Sequence, residues 1–350
     1  MREPGCPAVR PRPRVGAVAT LIEESKSELL TQAAEGAASR KGKGGPPVGE
    51  LPDLLRAYYR HVAAEDLEDR TADDVYGALA SHYRLAGSRP EGTARVHAYT
   101  PSVGEHGWSA GGHTVVEIVT DDMPFLVDSM TMALADEHRT VHVVVHPLFE
   151  AERDVAGELR AIRVPEDAPD PVPGTGGVMD EATGLVRLRE SWMHIEIDRV
   201  GDDELAGIER HLQEVLRDIT DAVDDWPRMR GRLLDLIQEL QTSPPKDLPD
   251  SEVAPGAELL QWLADDHFAF LGYREYDLEG EGDQMTLRAV PGSGLGILRS
   301  DPDQSQAGRP LPEAVRQRAR DKTLLVLAKA NSQSTVHRSA YLDYVGVKKF

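Results

Sequence analysis

The stretch Asp121-Asp122-Met123-Pro124-Phe125-Leu126-Val127-Asp128-Ser129 joins the clearest strand signal in the chain to one of its clearest helix signals, which confines the fold to a mixed α/β class. Residues 113–120 are rich in β-branched side chains and run into a pair of carboxylates, as a strand entering a polar turn does. Beyond the turn, Leu126, Val127, Met130 and Leu134 recur at the spacing of one helical face, and His138-Arg139 place cations where a helix C-terminus favours them. Pro124 stands where a first helical residue needs no N–H. Asp121 and Asp122 can accept bonds from the free N–H groups of the first turn, and Asp128 lies near the positive end of the helix.

The 350 residues suffice for two or three domains. A formal charge of −21 sets the chain against nucleic acid and anionic membrane surfaces, because polyanions are repelled at long range. One cysteine, Cys6, cannot build an internal disulfide framework, and the expected compartment is the cytoplasm. No run approaches the roughly 20 apolar residues that span a bilayer. The basic stretch Arg10 to Arg14 and the apolar residues after it imitate a signal peptide only until Glu23-Glu24.

Read in order, residues 1–49 are a disordered arm, a short helix at about 18–34 and a Gly/Pro linker. Residues 50–90 form a helical hairpin, with Leu51, Leu54, Leu55 and Tyr58 on one face and Val75, Leu79 and His82-Tyr83 on another. Within 91–242, strands are expected at 95–99, 113–120, 141–149, 158–164 and 185–200, with the loop residue Trp108 packed on the sheet. Helices follow at 202–223 and again from Pro227, where proline restarts the chain. Residues 243–256 read as a linker and 257–350 as a second mixed α/β unit. That unit ends inside a strand, which suggests an incomplete domain.

Several constellations imitate chemistry. Gly292-Ser293-Gly294-Leu295-Gly296 and Gly174-Thr175-Gly176-Gly177 resemble nucleotide loops, but neither opens a helix at the dinucleotide spacing, so a turn and a loop are expected instead. His142 and His146 share one side of a strand about 13 Å apart, too far for one metal ion, and no metal site is expected. In the last strand Met193, Ile195 and Ile197 alternate with Trp192, His194, Glu196 and Asp198, which form an expected exposed stripe, either solvated or facing a partner.

The corner, His146-Pro147-Leu148-Phe149, residues 190–198, residues 268–274 and the run from Leu327 to Val347 together resemble the N-terminal, non-catalytic part of the large bacterial NAD-specific glutamate dehydrogenases. The resemblance covers residues 50–350. It implies an α+β protein: a ferredoxin-like ACT-type α/β sandwich over 91–242, then a PAS-like unit. It also implies a parent enzyme that deaminates L-glutamate oxidatively to 2-oxoglutarate and ammonia with NAD, while this segment holds no catalytic, cofactor-binding or metal-ligating residue. Its partners would be the enzyme's own catalytic domain and other subunits of a homo-oligomer, with an amino-acid effector as a further candidate. ACT domains that bind amino acids carry a Pro-Gly step after the first strand, whereas here the step is Pro124-Phe125. The ring shields the backbone. A structural or assembly role for Asp121, Asp122, Met123, Pro124, Phe125 and Asp128 is therefore preferred to effector binding. The alternative to a dehydrogenase segment is a free-standing ACT/PAS-like sensor or interaction module without enzymatic activity.

Overall fold

The computed structural model describes residues 15–38, 45–165, 176–300, 310–311 and 313–349. Cys6, the basic stretch 10–14 and Gly174-Thr175 lie outside the described residues. Contacts divide the chain into two units. The first comprises the chain up to Asp121 with 140–168 and 177–206, and the second comprises 122–139, 169–176 and 207–350.

The first unit begins with the helices α1 (Val15–Ala38), α2 (Leu51–Tyr58) and α3 (Ala72–Ala86), followed by a short turn of helix, α4 (Val103–His106). Thr71 starts α3 with a reciprocal cap: its hydroxyl accepts from the Asp74 N–H at 3.2 Å while the Asp74 carboxylate accepts from the Thr71 N–H at 2.9 Å. Seven strands form one sheet: β1 (Arg95–Tyr99), β2 (Thr114–Asp121), β3 (Val141–Val145), β4 (Leu148–Arg153), β5 (Leu159–Arg163), β6 (Val178–Asp180) and β7 (Leu185–Ile197). Every pairing is antiparallel. The long strand β7 is the hub. Its second half pairs with β2 along one edge and β3 along the other, and its first half pairs with β4 and β6. The third strand of the β2–β3/β4–β7 set thus lies between the first two, an arrangement consistent with an ACT-type domain.

The expected single strand 141–149 is two strands. Proline cannot donate to a ladder, and the break falls at His146-Pro147, where the Pro147 carbonyl still accepts from the Trp192 N–H at 3.1 Å. A further strand, β6, falls between the strands expected at 158–164 and 185–200.

The helices α2 and α3 cover the sheet. Leu51, Leu54, Leu55, Tyr58, Val75 and Leu79 pack in one buried cluster with Val119, Val145, Phe149 and Trp192 of the strands. The stripe expected to be exposed on β7 is therefore an error of burial: Trp192 is 0%, His194 1% and Glu196 5% exposed, and only Asp198 reaches solvent. The alternation of β7 is correct, but both of its faces are buried. Trp108 is buried as anticipated, over Gly77, where an added Cβ would stand 2.2 Å from the indole Cγ.

Buried charge fixes the hub strand. Glu190 is fully buried and accepts from Arg153 through Nε (2.6 Å) and Nη2 (2.9 Å), from Arg89 through Nη2 (2.7 Å), and from the Trp192 indole at 3.1 Å. The guanidiniums also donate to the carbonyls of Ala86, Gly157 and Thr93, each at 2.8 Å. Burial alone would raise the Glu190 carboxyl, but Arg153 and Arg89 hold it below the ordinary glutamate range.

The second unit contains α5 (Leu126–Asp136), α6 (Asp202–Thr242, from residue 207), α7 (Asp250–Trp262) and α8 (Glu313–Arg320). Its strands are β8 (Gly272–Tyr273), β9 (Tyr276–Glu279), β10 (Thr286–Ala289), β11 (Leu295–Gly296), β12 (Leu325–Gln333) and β13 (Tyr341–Val347). They pair as three separate two-stranded ladders, β9 with β10, β8 with β11 and β12 with β13. No single PAS-like sheet forms among the described residues of 257–350. The apolar core joins Ile237, Leu240, Val253, Leu260, Leu263 and Leu324, so α6 and α7 take the place that a larger sheet would fill.

Two boundaries are corrected here. Residues 250–256 are not linker, since α7 starts at Asp250 and contains Pro255. Pro227 lies within α6 and starts no new helix. The helix is anchored beside it: Asp225, 2% exposed, accepts from the Gly296 N–H and the Arg299 Nε, both at 2.9 Å. The glycine-rich turn is structural, because a Cβ on Gly296 (φ 60°) would stand 2.2 Å from the Leu271 carbonyl oxygen.

Glu190→Ala is expected to lower unfolding free energy by about 3–5 kcal/mol, since it leaves two buried guanidiniums without their shared carboxylate, and denaturant titration reads the loss directly. If α6 is continuous, Pro227→Ala raises stability towards the roughly 3 kcal/mol that an interior proline costs. A negligible change in midpoint would place Pro227 at a helix start instead.

Candidate functional site

The corner after β2 is built differently from a simple capped helix. Asp121, expected to cap the helix, accepts from Arg89 Nη2 at 2.6 Å and from the Gly92 N–H at 3.2 Å. In the second unit Met123, Pro124 and Phe125 are half-buried, and α5 begins at Leu126, two residues beyond the expected proline start. Phe125 is the N-cap, with φ 73° and ψ −2°. A phenylalanine thus adopts the left-handed backbone that glycine takes readily and L-residues adopt at a cost of about 1–2 kcal/mol. Met123 Sδ lies 3.9 Å from the Thr220 hydroxyl, and Asp128 is exposed in the first turn of α5, as its position predicts.

Over Phe125 lies His337, its ring centroid 4.8 Å away and itself at φ 73°. Ser129 links the two: its hydroxyl donates to the Phe125 carbonyl at 2.6 Å and accepts from the His337 N–H at 2.9 Å. Local sequence gives no sign of this pairing, since Ser129 and His337 are 208 positions apart.

A second constellation lies within the first unit, on the face of β7 that was expected to be wet. Alternate residues of one strand share a face, so Asp198, Glu196 and His194 line up from the surface inwards, and pairing of β2 with β7 sets Glu117 opposite His194. His142 Nε2 lies 2.8 Å from Asp198, and its ring stacks 4.2 Å from that of His113, whose Nδ1 is 3.1 Å from Glu196. Arg70 also donates to Glu196. His194 Nε2 is 3.5 Å from Glu196 and Nδ1 is 3.9 Å from Glu117, which accepts from Tyr99 at 3.0 Å and Ser81 at 3.1 Å.

Deeper still, His82 Nε2 contacts the Ile118 carbonyl at 3.1 Å. A carbonyl only accepts, so Nε2 carries the proton and Nδ1 accepts from the Tyr58 hydroxyl at 2.9 Å. His142 and His146 have separate partners, the latter 2.7 Å from Ser191. Beside the row is a cavity of about 20 Å³ whose polar lining includes Arg70, Asp74, Trp108, His194 and Glu196. That volume suits one water and excludes an amino acid.

Burial and charge set the protonation of this row in opposite directions. Burial alone would lower His194, but Glu117 and Glu196 outweigh it and raise the imidazole above its usual value. Burial would raise Glu196, yet His194, Arg70 and His113 bring it down to about 2. At His82 burial outweighs the pull of Glu117, at His146 burial is reinforced by His61, and each is lowered to about 4. Glu117, Glu196 and Asp198 are thus each engaged by a histidine, with Arg70, hydroxyls or a backbone N–H beside it. The row holds strands and helices together. Among the described residues, no group of three or more His, Cys, Asp or Glu is placed to hold a metal ion, and no helix is long and apolar enough to cross a membrane.

Residues 54–212 match the family model described as glutamate dehydrogenase, ACT1 domain. The chain carries a glutamate dehydrogenase ACT1 domain. Over 94% of its length it is 31% identical to the NAD-specific glutamate dehydrogenase of Halomonas elongata, of which it covers 19%. The corresponding protein of Pseudomonas aeruginosa is 30% identical over 83% of the chain and 17% of its own length. That of Mycobacterium tuberculosis is 27% identical over 78% and 15%. The chain therefore spans less than a fifth of the length of these relatives. The ACT1 residues include the corner and the whole polar row, whereas His337 falls outside them.

The row gives the ACT1 sheet a pH profile. His194, with its pKa raised in the folded state, contributes stability that is complete below the ordinary value of 6.5 and is lost as pH rises through the raised value. His82 and His146, lowered to about 4, make stability fall as pH drops from 6.5 towards 4, and Glu196 adds its own loss from 4.5 towards 2. Melting temperature is accordingly expected to decline on both sides of a maximum near pH 6.5. The excess of wild type over His194→Gln should narrow as pH rises above that point, and a constant gap would contradict a charged His194.

Proposed function

We propose that this chain is a regulatory and assembly segment of a large NAD-specific glutamate dehydrogenase, and that the parent protein oxidises L-glutamate to 2-oxoglutarate and ammonia with NAD in the cytoplasm. The observation that carries the reading is the ACT1 match in a chain similar over 94% of its length to a dehydrogenase of which it covers only 19%. The polar row agrees with it: histidines and carboxylates that could serve catalysis are occupied in holding the ACT1 sheet to its helices. The ferredoxin-like reading of this domain rests on the strand order around β7, with β7 itself between β2 and the β3/β4 edge. Partners on this reading are the dehydrogenase's catalytic domain and further subunits.

The corner has a structural role in this proposal. Met123, Pro124 and Phe125 are half-buried, the Phe125 ring packs on that of His337 and the Phe125 carbonyl accepts from Ser129, which favours packing over capture of a free amino acid. Asp122 and Asp128 belong to the same turn and carry negative charge next to the α5 N-terminus.

Calorimetry of the 350-residue chain with NAD, together with a dehydrogenase assay on glutamate, tests the division of labour. Neither saturable binding nor turnover is expected. Micromolar NAD binding would assign cofactor recognition to this segment and overturn the proposal.

A further inference from the structure

The tip that joins β12 to β13 has its own internal architecture. The Ser334 hydroxyl donates to the Val336 carbonyl at 2.6 Å and accepts from the Val336 N–H at 3.1 Å, while the Ser334 N–H donates to the Ala340 carbonyl at 2.9 Å. Two further short-range bonds, from the Arg338 N–H to Val336 and from the Ala340 N–H to Arg338, complete the turn. Val336 is 1% exposed and Ser334 6%. The tip thus combines an internally bonded turn with an apolar point that is buried where it sits.

Its attachments to α5 and α6 include both part-buried and exposed contacts. His337 donates its N–H to Ser129 and lays its ring on Phe125, Thr335 donates to Asp218 at 2.8 Å, and Ser339 is 3.5 Å from Asp136. The last two contacts are exposed. The two residues that face each other, Phe125 and His337, are also two of four non-glycine residues with positive φ among the described residues. Strain of this kind persists only while surrounding contacts enforce it, and it collects where a segment must change state.

We propose that residues 334–340 are a strained latch seated on the Phe125 corner, which opens as a local unit. Release removes the contacts that hold Phe125 and His337 in left-handed backbone, and it frees the Ser129 hydroxyl and the Phe125 ring. A partner that favours either the seated or the released state shifts the balance between them by its difference in affinity. The latch does not depend on the dehydrogenase reading, because every contact in it belongs to the second unit.

Hydrogen exchange on the 350-residue chain tests this. In wild type, the His337 and Ser334 amides are expected to exchange through an opening insensitive to low denaturant, while Ile219 inside α6 exchanges only through denaturant-dependent unfolding. Ser129→Ala removes the acceptor of the His337 N–H and should accelerate tip exchange by about tenfold, the loss of roughly one hydrogen bond, with Ile219 unchanged. His337→Gly keeps the positive φ and the N–H but removes the ring, and should accelerate exchange at Ser334, so it serves if the serine variant does not fold. The latch is refuted if the tip and Ile219 exchange with the same denaturant dependence, or if a folded variant leaves tip exchange unaltered.

Discussion

Glu190 is the constraint on which the first unit rests. A carboxylate with no exposed surface is tolerable only if cations meet it, and here two guanidiniums do so from different parts of the chain: Arg89 from the segment after α3 and Arg153 from the end of β4. The same guanidiniums reach carbonyls at Ala86, Thr93 and Gly157. One residue of the hub strand thereby ties together the end of α3, the approach to β1 and the β4–β5 turn. Asp121 shares Arg89, so the end of β2 is drawn into the same network.

The other end of β7 is organised by the same logic with histidine as the cation. His194 lies between two carboxylates whose own partners come from α3, β1 and the loops before α3 and β2. The inner face of the ACT1 sheet therefore carries charge, but that charge is consumed in cohesion. This explains how a row of acid–base residues can lie within a segment proposed to be non-catalytic. At the corner the design differs: strain at Phe125 is balanced by a tip arriving from far along the chain, so the element that begins α5 is held by contacts outside the ACT1 residues.

The strands of the first unit and the helices α2, α3 and α5 were legible because their signals are local. β-branched alternation marked β1, β2 and β7, helical spacing marked α2, α3 and α5, and the motif around the corner led to the family. Reading failed where local signals were ambiguous. Pro227 and Pro255 read as breaks, yet both lie inside helices, because packing and anchoring such as that of Asp225 outweighed the lost hydrogen bonds. His146-Pro147 carried a break that the apolar run concealed.

What the sequence determined alone was periodicity: which residues of β7 share a face, where α5 turns its apolar side, and that a turn separates β2 from α5. Only tertiary structure decided which face is dry. An alternating strand has the same pattern whether its polar side meets water or a layer of helices, so Trp192, His194 and Glu196 could not be placed until α2 and α3 were seen to cover them. The left-handed Phe125 is the same case in the backbone. Nothing in its own side chain favours that conformation, and the His337 that covers it lies more than 200 residues away, where no local rule reaches.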